Sequence, residues 1–193
     1  MAQTSVIDYF KQLSELMLRI EATDKTGAKL SLEEGIEQAT KLILNVRAAS
    51  AKIMLAGNGG SAAIVSHMQN DLCTTADLKA MVFTEQPLLT ALANDNGYPS
   101  VYERPIELWA EAGDLVWTVS SSGQSENIIR ALNAGLQAKC GRITFSGFKP
   151  DNPSRKMGDV NFFVDSNVYC YVESAHTALA HFLTTLALSG SEG

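Results

Sequence analysis

Cysteine is scarce in this chain: Cys73, Cys140 and Cys170 are the only three in 193 residues, and no two are spaced Cys-x-x-Cys. An odd, unpaired set speaks against a disulfide framework or a cysteine-rich zinc site, and it fits a reducing compartment with all three as packing residues. Positive charge is short as well. With 15 Lys and Arg against 21 Asp and Glu the net charge is −6, which offers no general attraction to nucleic acid or anionic lipid. Neither partner is expected, and any phosphate must be captured by a local site. No apolar run approaches the ~18 residues of a membrane span, and the opening MAQTSVIDYF has no basic stretch ahead of an apolar one; the expected location is the cytoplasm. No G-x-x-x-x-G-K-[ST] occurs, which excludes a P-loop NTPase. No repeat, low-complexity tract or linker divides the chain. Residues 1–193 therefore read as one domain, with a helical pair over 1–50 and the rest over 51–193.

What is present is an ordinary globular balance, 46% hydrophobic and 19% charged. Val6, Ile7, Phe10, Leu13, Met17 and Ile20 recur at helical spacing, and Ser31 with Glu34 supplies a capping box for a second helix carrying Ile36, Leu42, Ile43 and Val46. The pattern then changes. The runs IMLAG, MVFT, LVWTVS, RITFS and VNFFVD read as five strands, mostly buried on both faces, with helices near 61–75, 101–111, 125–139 and 170–188. Alternation of this kind makes an α/β protein with a parallel sheet. The two terminal helices carry enough apolar surface either to cover the sheet or to pack between subunits.

Two loops carry the chemistry. The first strand runs into Ala56-Gly57-Asn58-Gly59-Gly60-Ser61-Ala62 ahead of a helix. A glycine turn at a helix N-terminus gathers free backbone N–H groups and the positive end of the helix dipole into an anion site. The third strand ends in Ser120-Ser121-Ser122-Gly123-Gln124-Ser125 before Glu126 and Asn127 open a helix, which puts four hydroxyls where open α/β sheets bind ligands. Gly57, Gly59 and Ala62 also satisfy G-x-G-x-x-A, with Glu85 after the second strand. That acid lies further along than the usual ~20 residues, and a dinucleotide would leave the serine loop without a role, so no nucleotide cofactor is expected.

These residues, with His67, Asn94-Asp95 and His181, resemble the sugar isomerase (SIS) domain family across nearly the whole chain. Within the family they resemble the phosphoheptose isomerases, which interconvert sedoheptulose 7-phosphate and an aldoheptose 7-phosphate. The resemblance implies a flavodoxin-like five-stranded parallel sheet flanked by helices, in a homotetramer with active sites between subunits. It implies a phosphorylated sugar whose phosphate is held by Ser120, Ser122 and Ser125, with Asn58 and Ser61 toward the sugar and Gly59, Gly60, Ser121, Asn94 and Asp95 also lining the site. The reaction implied is an enediol proton transfer from sedoheptulose 7-phosphate to D-glycero-D-manno-heptose 7-phosphate or a close relative. The alternative within the family is a non-catalytic regulator that binds a sugar phosphate or another protein.

Shifting a carbonyl between C1 and C2 needs a base, an acid and stabilised enediolate oxygens. By the resemblance His67, Asp71, Glu173 and His181 are the candidate ligands of a zinc ion, and Asp71, Glu173 and His181 the candidate acid and base groups. The chain departs from the family at three points. Asp71 stands for a glutamate, Glu173 for a glutamine, and Cys73-Thr74-Thr75 replaces a glycine-arginine pair. Either Asp71 or Glu173 could be the base. Glu173 and His181 are eight residues apart, about 12 Å along a helix, whereas His176 at i+3 is the nearer partner by spacing.

Overall fold

In the computed structural model, which describes residues 5–189, helix α1 (Val6–Leu18) opens at Ser5, whose hydroxyl accepts from the Asp8 amide. The ends of the expected domain, 1–4 and 190–193, lie outside the described residues. The expected helical pair is interrupted, which corrects the reading of residues 1–50. Two short antiparallel strands, β1 (Glu21–Asp24) and β2 (Lys29–Leu30), precede α2 (Leu32–Ala48). Their turn is closed by Asp24, whose Oδ1 accepts from the Thr26 and Ala28 amides, and by Gly27 at φ +82°. Only Ala22 and Thr23 of β1 are buried, too few for an alternating pattern to show. The α2 capping box of Ser31 and Glu34 forms as the spacing predicts.

The chain continues through β3 (Lys52–Gly57), α3 (Gly60–Thr74), β4 (Lys79–Val82), α4 (Gln86–Asn96), α5 (Glu103–Trp109), β5 (Leu115–Ser120), α6 (Glu126–Gln137), β6 (Gly141–Gly147), β7 (Val160–Val164) and α7 (Tyr169–Ser189). Strands β3 to β7 are parallel in the order β7-β6-β5-β3-β4, a flavodoxin-like arrangement. Strand β1 adds antiparallel to β7, with Glu21 opposite Phe163, so the sheet has seven strands rather than five. The helix expected over 101–111 is the shorter α5, because Tyr98–Ser100 form a 3₁₀ turn after Gly97 at φ +83°.

Alternation along the strands builds a core on each face. Ile53, Leu55 and Trp117 pack with Ile43, Val65, Leu72 and Leu183 on the α2, α3 and α7 side. Met54, Ala56 and Val116 pack with Tyr102, Ile106, Ile128 and Leu132 on the α5 and α6 side. Register brings the strand ends level, with Gly57 opposite Val119 and Ser120 opposite Ser146. Since α3 leaves β3 on one face and α6 leaves β5 on the other, the loops after these adjacent strands part and open a crevice, the topological switch point where such sheets bind ligands.

Helix α1 buries none of its residues: Val6, Ile7 and Phe10 are exposed, as is Phe182 on α7. Beside them a groove of about 920 Å³ is lined mainly by Met17, Ile36, Leu44, Leu179, Phe182 and Leu186. No helix among the described residues is long and apolar enough to cross a membrane.

Candidate active site

The first loop is shaped by Gly59, which caps α3 at φ +55°, ψ −122°, a conformation essentially reserved for glycine. Gly60 is needed for a different reason. A Cβ there would lie 2.5 Å from Glu173 Oε1, so the Glu173 carboxylate rests against the start of α3. In the serine loop the Gly123 amide donates to Ser120 O and Oγ, and the Gln124 amide to Ser122 Oγ at 3.3 Å. Ser125 caps α6 through its backbone and makes no side-chain capping bond. The Ser121 hydroxyl is buried and, among the described residues, has no hydrogen-bond partner.

Asn58, Gly59, Gly60, Ser61, Ser120, Ser121, Ser122 and Ser125 line one cavity of about 250 Å³, joined by Tyr169 and Glu173 from the start of α7. Asn94 and Asp95 are not brought to it: they sit exposed in the last turns of α4, with the Asn94 amide donating to Asp95 at 2.7 Å. Three residues that the sequence reading missed hold the loops. Asn127 exchanges two hydrogen bonds with Asn58, at 2.9 and 2.8 Å, Tyr98 Oη donates to Asn58 Oδ1 at 3.0 Å, and the Tyr102 hydroxyl donates to Gly57 O. Burial pushes the Tyr102 phenol up to about 12, which keeps it a donor. Asn127 stands two residues after Ser125, at the end of the serine loop, and that position was the available signal.

A second cluster lies further along the seam between α3 and α7. Asp71 Oδ2 sits 3.5 Å from His67 Nε2 and 3.3 Å from His181 Nδ1, and the two imidazoles meet edge to face at 4.9 Å. One ligand atom from each of the three falls within 4.8 Å of the others. Two imidazoles and a carboxylate suit zinc, so the residues fit such an ion. Glu173 is not in this group. It lies two helical turns earlier, as the eight-residue interval on α7 requires, and among the described residues its carboxylate has no hydrogen-bond or ion-pair partner. His176, the nearer partner by spacing, points elsewhere: it is fully buried, with Nε2 3.1 Å from Ser146 O and Nδ1 without a partner among the described residues.

Burial pushes the His176 imidazole down from 6.5 to about 4. The unfolded chain therefore takes up this proton first, and the stability His176 permits is complete above pH 6.5 and declines toward pH 4. The expected total is about 3 kcal/mol. Urea denaturation from pH 7 to pH 4.5 should show this decline, and His176→Gln should flatten it.

A Gly- and Ser-lined crevice at the switch point of a flavodoxin-like sheet lies where α/β proteins of this class hold their ligands. The chain belongs to the SIS domain family, which it matches over residues 8–147. It is 32% identical over 168 residues to the phosphoheptose isomerase of Aliarcobacter butzleri (strain RM4018), covering 83% of this chain and 88% of that one. With the phosphoheptose isomerase of Syntrophotalea carbinolica it shares 29% identity over 192 residues, 96% of this chain and 93% of the relative. Its fold matches that of phosphoheptose isomerase GmhA from Neisseria gonorrhoeae with a TM-score of 0.81 at 27% identity, over 93% of this chain and 96% of that structure.

Proposed function

We propose that this protein is an aldose–ketose isomerase acting on a sugar phosphate, and that the sugar is sedoheptulose 7-phosphate or a close relative. The observation that carries the reading is the shared cavity, in which both loops and one unpartnered carboxylate, Glu173, face the same space. Its relatives' names give the heptose. The phosphate rests on the hydroxyls of Ser120, Ser122 and Ser125 at the α6 N-terminus, where the helix dipole favours negative charge. Asn58, Gly59, Gly60 and Ser61 face the sugar, with Asn94 and Asp95 completing the site across a subunit boundary. Glu173 lifts a proton from C1 of the ketose and returns it to C2, while His181 moves the proton between the two oxygens. Asp71 orients the two imidazoles. Zinc held by His67, Asp71 and His181 would supply a Lewis acid that polarises the carbonyl.

The open α1 face and the neighbouring groove support a homotetramer, and the whole reading suits a cytoplasmic enzyme. The function is tested by incubating the purified protein with sedoheptulose 7-phosphate and following the aldose anomeric carbon by carbon NMR; binding without conversion would favour the regulator. The metal is tested separately. Metal-free protein titrated with zinc is expected to take one ion per chain, a site lost in the His67→Ala, His181→Ala double variant and kept in Glu173→Gln. Loss in Glu173→Gln would return Glu173 to the ligand set.

A further inference from the structure

An asparagine amide offers two N–H donors and an oxygen with two lone pairs. Asn58 Oδ1 accepts from both Asn127 Nδ2, at 2.8 Å, and Tyr98 Oη, at 3.0 Å. One hydrogen of Asn58 Nδ2 is given to Asn127 Oδ1 at 2.9 Å. Both lone pairs are then used and a single N–H remains. Asn58 is part of the cavity wall, so a residue type that could read a ligand as donor or acceptor is reduced to a donor.

The two partners come from separate parts of the fold. Asn127, only 3% exposed, stands in the first turn of α6 behind the serine loop. Tyr98 stands on the 3₁₀ turn that follows α4. Together they tie the glycine loop, the serine loop and the α4 end into one unit.

We infer that Asn127 and Tyr98 are positioning residues, which hold the Asn58 amide so that it meets a ligand oxygen only as a donor and thereby select a hydrogen-bond acceptor at that point. The inference rests on the reading of this cavity as the sugar-phosphate site. A phosphate, carbonyl or carboxylate oxygen satisfies the remaining N–H; a ligand group able only to donate leaves it unpaired, which is costly in a desolvated cavity.

The test is a double-mutant cycle on turnover of sedoheptulose 7-phosphate. Tyr98 is half exposed, and Tyr98→Phe removes only its oxygen, so folding and melting temperature should hold. Tyr98→Phe is expected to lower kcat/KM by about tenfold, the scale of one net hydrogen bond, and to have less than about a twofold effect in an Asn58→Ala background. The isosteric Asn127→Asp, which can no longer donate to Asn58, should behave likewise. Equal effects of Tyr98→Phe with and without Asn58 would overturn the inference. Should the wild-type protein not turn the sugar over, the isomerase reading fails and a second readout still decides the positioning. In ¹⁵N-asparagine-labelled protein without sugar, the Asn58 and Asn127 side-chain amides should each show one slowly exchanging hydrogen, and Tyr98→Phe should move the Asn58 pair. Freely exchanging, unshifted amides would refute it.

Discussion

Glu173→Gln is expected to lower turnover by about 10²- to 10⁴-fold, the range of a lost general base, with little change in affinity for the sugar phosphate. Glutamine keeps the size of the side chain, so its packing against Gly60 survives while the proton acceptor is gone. The proposed phosphate contacts lie on a different element, the loop before α6. Asp71 is not free to compensate, since its Oδ2 already faces two imidazoles, His67 Nε2 at 3.5 Å and His181 Nδ1 at 3.3 Å. Stopped turnover with an unchanged dissociation constant, read by calorimetry, is the predicted pattern. Unchanged turnover would hand the role to Asp71.

Gly123→Ala should damage both the fold and the site. Gly123 holds φ +61°, and a Cβ there would lie 2.0 Å from Asn152 Oδ1 and 2.7 Å from Ser154 Oγ. Neither neighbour can yield at low cost. Asn152 is 1% exposed, its Nδ2 donates to Ser146 Oγ, Gly147 O and Lys149 O, and its Oδ1 accepts from Ser154 Oγ and the Arg155 amide. Moving it breaks several buried hydrogen bonds and adds backbone strain, together roughly 3–5 kcal/mol. Chemical denaturation should read that loss, and protein that still folds should bind phosphate more weakly because Ser122 and Ser125 flank the displaced turn.

The parallel sheet was legible because four of its five strands, all but the edge strand β4, are buried on both faces over most of their length, and a buried strand such as LVWTVS has few other readings. The two glycine and serine loops were legible for a related reason: Gly59 and Gly123 stand where the chain needs φ above zero. The β1–β2 pair was not, because β1 buries one alanine and one threonine and borrows its partner from β7, 136 or more positions away in the chain. The division of the four acid and imidazole groups was half legible. Helical spacing put His67 beside Asp71 and warned that Glu173 and His181 stand about 12 Å apart. It could not say that Glu173 would lie on Gly60, since that contact joins two helices with most of the sheet between them in sequence. Asn127, Tyr98 and Asn152 escaped for the same reason: each acts through partners on other elements or loops, and an asparagine or tyrosine at a helix start or turn carries no periodic signal.

The most direct test of the central claim is proton NMR of the protein with sedoheptulose 7-phosphate in D₂O. The account predicts loss of a C1 proton signal through exchange with solvent, together with growing aldose signals, both abolished in Glu173→Gln. A sugar phosphate that binds yet keeps its C1 protons and yields no aldose would contradict it.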